Sequence, residues 1–193
     1  MPEIRYVQQD IFSFNFGVLV HACNTEGTMG SGIAVEVAKK FPSALAAYQK
    51  QHANALAAAK ANGDVYQYQK LLLGRCSYAR EGDLYIANMV TQTLNNDFND
   101  KPTSLDALVS CLVALDKGYT KICANLKKEH VPVYMPLICA KRGKISWNVT
   151  KELIQDTLKH IPEVTVCVLP KEWKEWHSKG FIPKEPYSPQ IKI

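Results

Sequence analysis

The sequence has no long apolar run and no pattern typical of a secreted protein. No stretch approaches the roughly 20 apolar residues that a membrane-spanning helix requires. The amino terminus, Met-Pro-Glu-Ile-Arg, lacks the charged and then apolar build of a signal peptide. We therefore expect a soluble, intracellular protein without a membrane partner, located in the cytoplasm, with the nucleus left open.

Metal-site and redox spacings are also missing. The six cysteines, at positions 23, 76, 111, 123, 139 and 167, include no Cys-x-x-Cys pair and no cysteine–histidine spacing typical of zinc. Several lie inside apolar runs, as in Val-Cys-Val at 166–168. We expect buried free thiols in a reducing compartment, no metal site and no cofactor.

The bulk composition is that of one ordinary globular domain. The chain has 193 residues, of which 47% are hydrophobic and 21% charged. The net charge of +5 is spread along the chain rather than gathered in one arm. Such a balance suits an anionic small molecule as well as weak contact with nucleic acid.

Segments with strand and helix patterns alternate along the chain. Strand patterns, rich in apolar residues, occupy 4–7, 16–23, 65–73, 75–79, 84–91, 131–138 and 164–169. Helical spacing occupies 33–41, 43–61, 105–115 with a continuation to 128, and 147–160. The polar residues 94–103 are expected to form a surface loop. This alternation predicts an α/β sandwich with a mixed or largely parallel sheet, whose ligand binds beyond the carboxyl ends of the strands.

A glycine loop joins the buried strand at 16–23 to the next helix. Residues 24–32, Asn-Thr-Glu-Gly-Thr-Met-Gly-Ser-Gly, open a helix at Ile33. Glycines let a ligand approach the backbone, and free amides at a helix amino terminus attract phosphate. The Lys-Ser/Thr ending of a P-loop and the Gly-x-Gly-x-x-Gly fingerprint are both missing. The loop indicates a phosphate-bearing ligand, although a tight connection without a ligand is the alternative.

Three polar residues near strand ends are candidates for chemistry. His21 is either a satisfied core residue or a proton shuttle, because an unperturbed imidazole titrates near pH 6.5. Asn24 cannot titrate and would orient a hydroxyl or a water. Asp10 is either a loop-capping carboxylate or an acceptor for an exocyclic amine such as that of adenine.

A second loop follows the strand predicted at 131–138. Lys141, Arg142 and Lys144 form a short basic cluster there. It is either a solvated turn or a set of charges that faces the anionic ligand, which Arg can grip through two parallel hydrogen bonds. The tail beyond residue 170 carries Trp173 and Trp176, which either pack on the domain or form a surface for a partner.

These residues together resemble the macro domain family. Asp10-Ile11 matches its first-strand aspartate, residues 21–34 match its strand and glycine loop, and residues 135–147 match its second loop and the helix that follows. Within the family, the frame of His21, Asn24 and residues 27–34 looks like the yeast-type ADP-ribose 1″-phosphate phosphatase. The likeness spans about residues 4–169, and 50–75 resembles an insertion.

The resemblance implies a three-layer α/β/α macro domain over 1–170, with a mixed central sheet, and an extension over 171–193 that is packed on it or extended. It implies an ADP-ribose-binding hydrolase that removes the 1″-phosphate from ADP-ribose 1″-phosphate. Its alternatives are an ADP-ribosyl hydrolase that acts on modified protein or nucleic acid, and a non-catalytic ADP-ribose reader. The expected catalytic residues are His21 and Asn24. The expected binding residues are Asp10, Ile11, Met29, Gly30, Ser31, Gly32, Ile33, Ala34, Cys139, Ala140, Lys141, Arg142 and Gly143.

Two departures from the family pattern bear on chemistry. The second loop is usually glycine-rich, but here it keeps Gly143 alone, with Lys141 and Arg142 where small or apolar residues are common. The branch that hydrolyses terminal ADP-ribose on protein glutamate uses a lysine on the strand around 88–92 and an aspartate in the second loop. This chain has Asn-Met-Val-Thr-Gln at 88–92 and Gly143 near the place of the aspartate, which argues against that lysine chemistry.

Overall fold

A mixed β-sheet forms the centre of the molecule. The structure is a computed structural model that describes residues 1–93 and 103–188. Within these residues the sheet has six strands in the order β1-β6-β5-β2-β4-β3, and every neighbouring pair is parallel except β3 with β4. The strands are β1 (Glu3–Val7), β2 (Phe16–Cys23), β3 (Cys76–Glu81), β4 (Asp83–Val90), β5 (Val133–Met135) and β6 (Glu163–Cys167).

Helices cover both faces of this sheet. They are α1 (Ile33–Lys40), α2 (Pro42–Ala61), α3 (Tyr68–Leu72), α4 (Leu105–Asn125), α5 (Trp147–Thr157) and α6 (Pro170–Ser178). The buried apolar residues of α1, α2 and α3, apart from Ala59, belong to one apolar cluster, and those of α4, α5 and α6, apart from Ala107, belong to another. The predicted three-layer α/β/α sandwich with a mixed sheet is therefore confirmed.

Strand β2 lies in the middle of the sheet and is buried on both faces. Val18 and Val20 pack into the α4–α6 cluster, whereas Leu19 and Cys23 pack into the α1–α3 cluster. This explains why the segment reads as a nearly continuous apolar run rather than an alternating one. Gly17 has φ +107, and a Cβ there would overlap the Pro132 carbonyl oxygen, so glycine is required for β2 to approach the start of β5.

Several predicted boundaries are wrong. Residues 65–73 are not a strand: they form a 3₁₀ turn (Val65–Gln67) and helix α3, because Leu72 is buried against α2 rather than in the sheet. Strand β5 is shorter than the predicted 131–138, since the chain leaves the sheet at Pro136 to enter the second loop. Helix α5 ends at Thr157 instead of residue 160. Of the predicted surface loop 94–103, residues 94–102 lie outside the described part of the chain.

Helix α6 and the chain that follows it pack on the α4–α6 face. Trp173 and Trp176 are 5% and 3% exposed and belong to that apolar cluster. The Trp173 indole donates a hydrogen bond to the carbonyl of Lys184, and the Tyr187 amide donates to the carbonyl of Tyr6 on edge strand β1. Among the described residues, no helix is both long and apolar enough to cross a membrane.

Candidate nucleotide site

A cavity of about 440 Å³ lies at the carboxyl ends of the parallel strands, a size typical of small-molecule sites. The chain after each parallel strand contributes to its wall, as expected for an open α/β sheet. The lining residues at or beyond the carboxyl ends of β1, β2, β4, β5 and β6 fall, in that order, within 9–12, 22–36, 92, 136–143 and 167–176. The two predicted loops therefore face one another across one pocket.

Asn24 fixes the start of the first loop. Its Oδ1 accepts hydrogen bonds from the Glu26 amide at 2.7 Å and the Tyr48 hydroxyl at 2.8 Å, and its Nδ2 donates to the Thr28 carbonyl at 3.0 Å. The side chain also lines the pocket. A primary amide has two N–H donors, and within the described residues only one finds an acceptor. The second N–H of Asn24 is therefore available to donate to a ligand.

Helices α2 and α3 contact the glycine loop on the side away from the pocket. Glu26 accepts hydrogen bonds from the Tyr68 hydroxyl at 2.9 Å and from Gln69 Nε2 at 2.8 Å, both on α3. Gly27 has φ +71, and a Cβ there would lie 2.9 Å from the ring of His52 on α2. The loop is thus positioned by side chains that do not themselves line the pocket.

The far end of the loop presents backbone to the pocket. Gly32 is the amino-terminal cap of α1, with φ 60 and ψ −145, a conformation that is almost confined to glycine. No side chain caps this helix end, so its first amides are available to an anion. A Cβ on Gly30 would meet nothing within 4 Å, and Gly30 lines the pocket. Packing therefore does not require glycine at position 30.

The second loop is tightly folded in spite of its single glycine. Cys139 has φ 64, an uncommon conformation for a residue with a side chain. A Cβ on Gly143 would lie close to Thr103 Oγ1 and 2.5 Å from the Cys139 carbonyl oxygen, and the Gly143 carbonyl accepts a hydrogen bond from the Thr103 amide. Glycine at position 143 is therefore a packing requirement.

The basic cluster of this loop meets helix α6. Lys141 Nζ lies 2.5 Å from Glu172 Oε1 and 5.7 Å from the ring centroid of Trp176. These three residues and Arg142 line the pocket, whereas Lys144 does not. Lys141 is both solvent-exposed and part of the pocket wall, where it joins the second loop to α6, so the structure is compatible with the solvated turn and with charges that face a ligand.

Asp10 performs the capping role that the sequence left open. Its Oδ1 accepts a hydrogen bond from the Phe12 amide at 3.0 Å, which caps the 3₁₀ turn Ile11–Ser13. The carboxylate also lines the pocket, and its other oxygen accepts no hydrogen bond from the part of the chain that the structure describes. Capping and ligand contact are thus compatible.

The structure does not bring His21 to the pocket. The side chain is 0% exposed and points into the α1–α3 layer, where Nε2 lies 2.7 Å from Asn88 Oδ1. Burial lowers the pKa of His21 to about 4, and the hydrogen bond to Asn88 offsets only part of this effect. The ring is therefore neutral at pH 7. The proton-shuttle interpretation is corrected: His21 is a satisfied core residue.

Most of the other predicted binding residues do line the pocket. Met29 and Ala140 do not: Met29 is 7% exposed and belongs to the α1–α3 cluster, and Ala140 packs against the α4–α6 cluster. Sequence reasoning missed several lining residues, of which the most informative are Gln9, Phe12, Thr28, Gln92, Leu169, Glu172 and Trp176. Gln92 and Leu169 could have been found, because Gln92 follows the strand predicted at 84–91 and Leu169 is the last residue of the strand predicted at 164–169.

The thiols at the pocket are protonated. Burial raises the pKa of Cys23, Cys139 and Cys167, which removes them as nucleophiles at neutral pH. All six cysteines are unpaired, as predicted, and five of them are buried. Within residues 1–93 and 103–188 no cluster of His, Cys, Asp or Glu side chains has the arrangement of a metal site.

Comparison with known proteins agrees with this geometry. No family model matches the chain. An ADP-ribose 1″-phosphate phosphatase of Candida albicans is 38% identical over 166 residues, which cover 79% of this chain and 92% of the relative. One from Meyerozyma guilliermondii is 26% identical over 183 residues, covering 88% of this chain and all of the relative. A macrodomain protein from Streptomyces coelicolor superposes with a TM-score of 0.61 at 25% identity, over 86% of this chain and 99% of its own.

The chain therefore belongs to the macro domain family. Within the family it lies close to the yeast-type ADP-ribose 1″-phosphate phosphatases, as the frame of residues 21–34 predicted. The match spans nearly the whole length of these relatives, so the likeness concerns the entire fold and not the glycine loop alone.

Proposed function

We propose that this protein binds ADP-ribose 1″-phosphate and hydrolyses the terminal phosphate to give ADP-ribose and inorganic phosphate. The observation that carries the proposal is the pocket itself: two loops, one with an uncapped helix end, face each other across a cavity of nucleotide size. The relatives named for this activity supply the substrate class.

The two ends of the pocket differ in character, which orients the substrate. Phe12, Leu169 and Trp176 line the end next to β1 and β6, whereas Asn24, Thr28 and Gln92 line the end next to β2 and β4. A flat base is best accommodated by the apolar end, where Asp10 can accept a hydrogen bond from the adenine amine. The diphosphate then lies between the loops, and the distal ribose lies beside Asn24.

The chemical step follows from this orientation. A water attacks the phosphorus atom, the P–O1″ bond breaks, and O1″ leaves with a proton. Amides of the loops and the remaining N–H of Asn24 stabilise the charge on the phosphoryl oxygens. The pocket thiols are protonated and His21 lies in the core, so these groups do not activate the water. Asn24 and the loop amides contribute by position and electrostatics.

A non-catalytic reader of ADP-ribose is the second candidate. The position of His21 outside the pocket favours a reader, because His21 is the titratable group that the sequence analysis placed beside the glycine loop. A reader would keep the same binding contacts and lack turnover. ADP-ribosylated protein or nucleic acid would then be the ligand.

The test measures phosphate release and affinity on the same preparation. Purified protein is incubated with ADP-ribose 1″-phosphate while free phosphate is followed, and ADP-ribose is titrated by calorimetry. Release of phosphate, abolished or strongly slowed in Asn24→Ala with the fold retained, supports the phosphatase. Binding of ADP-ribose without release supports the reader, and the absence of both overturns the nucleotide site.

A further inference from the structure

The ion pair between Lys141 and Glu172 is not explained by stability or by the proposed reaction. Lys141 is 55% exposed and Glu172 is 26% exposed. Pairs this accessible contribute about 0–1 kcal/mol, since water screens the charges. Both side chains nevertheless line the pocket, one from the second loop and one from the first turn of α6.

The position of the pair follows from the orientation of the pocket. Glu172 lies three residues after Leu169, which lines the apolar end, and its partner Lys141 belongs to the loop that faces the glycine loop. The pair therefore bridges the base end and the diphosphate region. In an adenine nucleotide the group between these two parts is the proximal ribose, with its 2′- and 3′-hydroxyls.

The carboxylate has one oxygen left for such a ligand. Glu172 Oε1 is occupied by Lys141 Nζ, and Oε2 accepts no hydrogen bond from the residues that the structure describes. An ionised carboxylate only accepts hydrogen bonds, so it suits a hydroxyl donor and repels a phosphate. An acidic side chain serves the same purpose in dinucleotide folds, where it binds the ribose hydroxyl.

We propose that Glu172, held in place by Lys141, is a specificity-determining residue that accepts a hydrogen bond from the proximal ribose and excludes nucleotides that carry a 2′-phosphate. The inference rests on the proposed function, because it needs ADP-ribose in the pocket. The pairing has a second consequence. Glu172 neutralises Lys141, which would otherwise offer a cation to a 2′-phosphate.

The experiment compares two ligands on matched variants. ADP-ribose and ADP-ribose 2′-phosphate are titrated by calorimetry into the unmodified protein, Glu172→Ala, Lys141→Ala and the double variant. Glu175→Ala is the control: Glu175 lies on the same helix as Glu172 and pairs at 2.6 Å with Lys179, just beyond the helix end, but does not line the pocket. Melting temperatures confirm that each variant folds.

The expected pattern is a change of preference rather than a uniform loss. The unmodified protein and Glu175→Ala should prefer ADP-ribose by at least about tenfold, which corresponds to about 1.4 kcal/mol. Glu172→Ala should bind ADP-ribose several-fold more weakly and ADP-ribose 2′-phosphate more tightly than the unmodified protein does. The double variant with Lys141→Ala should lose the added affinity for ADP-ribose 2′-phosphate. Two results would overturn this inference and leave the proposed function standing. One is an unchanged preference between the two ligands in folded Glu172→Ala. The other is equal or tighter binding of ADP-ribose 2′-phosphate by the unmodified protein. If the unmodified protein binds neither ligand, the proposed function falls and the inference with it.

Discussion

The Nε2 atom of His21 lies 2.7 Å from Oδ1 of Asn88, between adjacent parallel strands and fully inside the α1–α3 layer. The Asn88 amide in turn donates to the carbonyl of Ala44 at 2.9 Å and to Ser77 Oγ at 3.0 Å. Its oxygen therefore faces the imidazole and accepts from it. This network joins β2, β3, β4 and the start of α2, and it gives His21 a structural role in the layer beneath the glycine loop.

Replacing His21 should affect stability and leave chemistry nearly unchanged. His21→Gln keeps an N–H donor for Asn88, so turnover of ADP-ribose 1″-phosphate should stay within about threefold of the unmodified protein. His21→Ala leaves a cavity and an unsatisfied acceptor, which should cost about 2–4 kcal/mol of unfolding free energy. Urea titration and phosphate release measure the two effects. A well-folded His21→Gln protein without activity would restore the proton-shuttle role.

The lowered pKa of His21 predicts how stability depends on pH. The unfolded imidazole takes up a proton below about pH 6.5, whereas the buried ring stays neutral until about pH 4. The unfolded state therefore binds more protons in this window, and stability is complete above pH 6.5 and decreases as the pH falls. The loss attributable to this group at pH 4 is about 3 kcal/mol.

Comparison with His21→Gln isolates this contribution, because all other titrating groups are shared. The difference in unfolding free energy between the two proteins should shift by about 3 kcal/mol between pH 7 and pH 4, in favour of the variant at low pH. Parallel curves over that range would show that the buried imidazole does not titrate as proposed.

The sequence predicts the fold well because its signals are local. The run at 16–23 is apolar at nearly every position, and that is the pattern of a strand buried on both faces. The glycines of the first loop likewise mark a boundary that local backbone chemistry sets. Residues 65–73 were wrongly predicted as a strand, because a short apolar run does not distinguish a strand from a helix. Packing of Leu72 against α2 favours the helix that the structure shows.

The site was predictable only in part, because side-chain direction depends on tertiary packing. Position 21 lies one residue before the pocket-lining Ala22, and successive residues of a strand face opposite sides, so the strand alone leaves open which of them meets the ligand. Glu172 carried no signal in the sequence. It reaches the pocket because α6 packs back on the sheet through Trp173 and Trp176, a long-range contact.

Gly30 and Gly143 are required for different reasons: we expect glycine at position 30 for ligand binding and at position 143 for packing of the second loop. Alanine at Gly30 meets nothing within 4 Å and Gly30 has no positive φ, so Gly30→Ala should fold with a melting temperature near that of the unmodified protein. Its methyl group projects from a pocket-lining backbone, so affinity for ADP-ribose should fall at least tenfold. Calorimetry checks this expectation, and unchanged affinity would show that the ligand does not approach Gly30.

Gly143→Ala is the opposite case. The added Cβ would overlap Thr103 Oγ1 and the Cys139 carbonyl, so the second loop must move. We expect a loss of about 1–3 kcal/mol of unfolding free energy together with weaker binding. Thermal denaturation without ligand measures the loss. A variant as stable as the unmodified protein would mean that the loop can shift at little cost.

The contact between Glu26 and α3 predicts that the insertion supports ligand binding from a distance. Tyr68→Phe removes one hydrogen bond to a part-buried carboxylate, which should cost about 1 kcal/mol of stability at most. Since that carboxylate holds the glycine loop, a freer loop pays more conformational entropy on binding, and affinity for ADP-ribose should fall several-fold. Gln67→Ala is the matched control, because Gln67 bonds to Asp64 in the same segment and does not touch the loop. Equal affinities for both variants in calorimetry would show that the loop keeps its shape without α3.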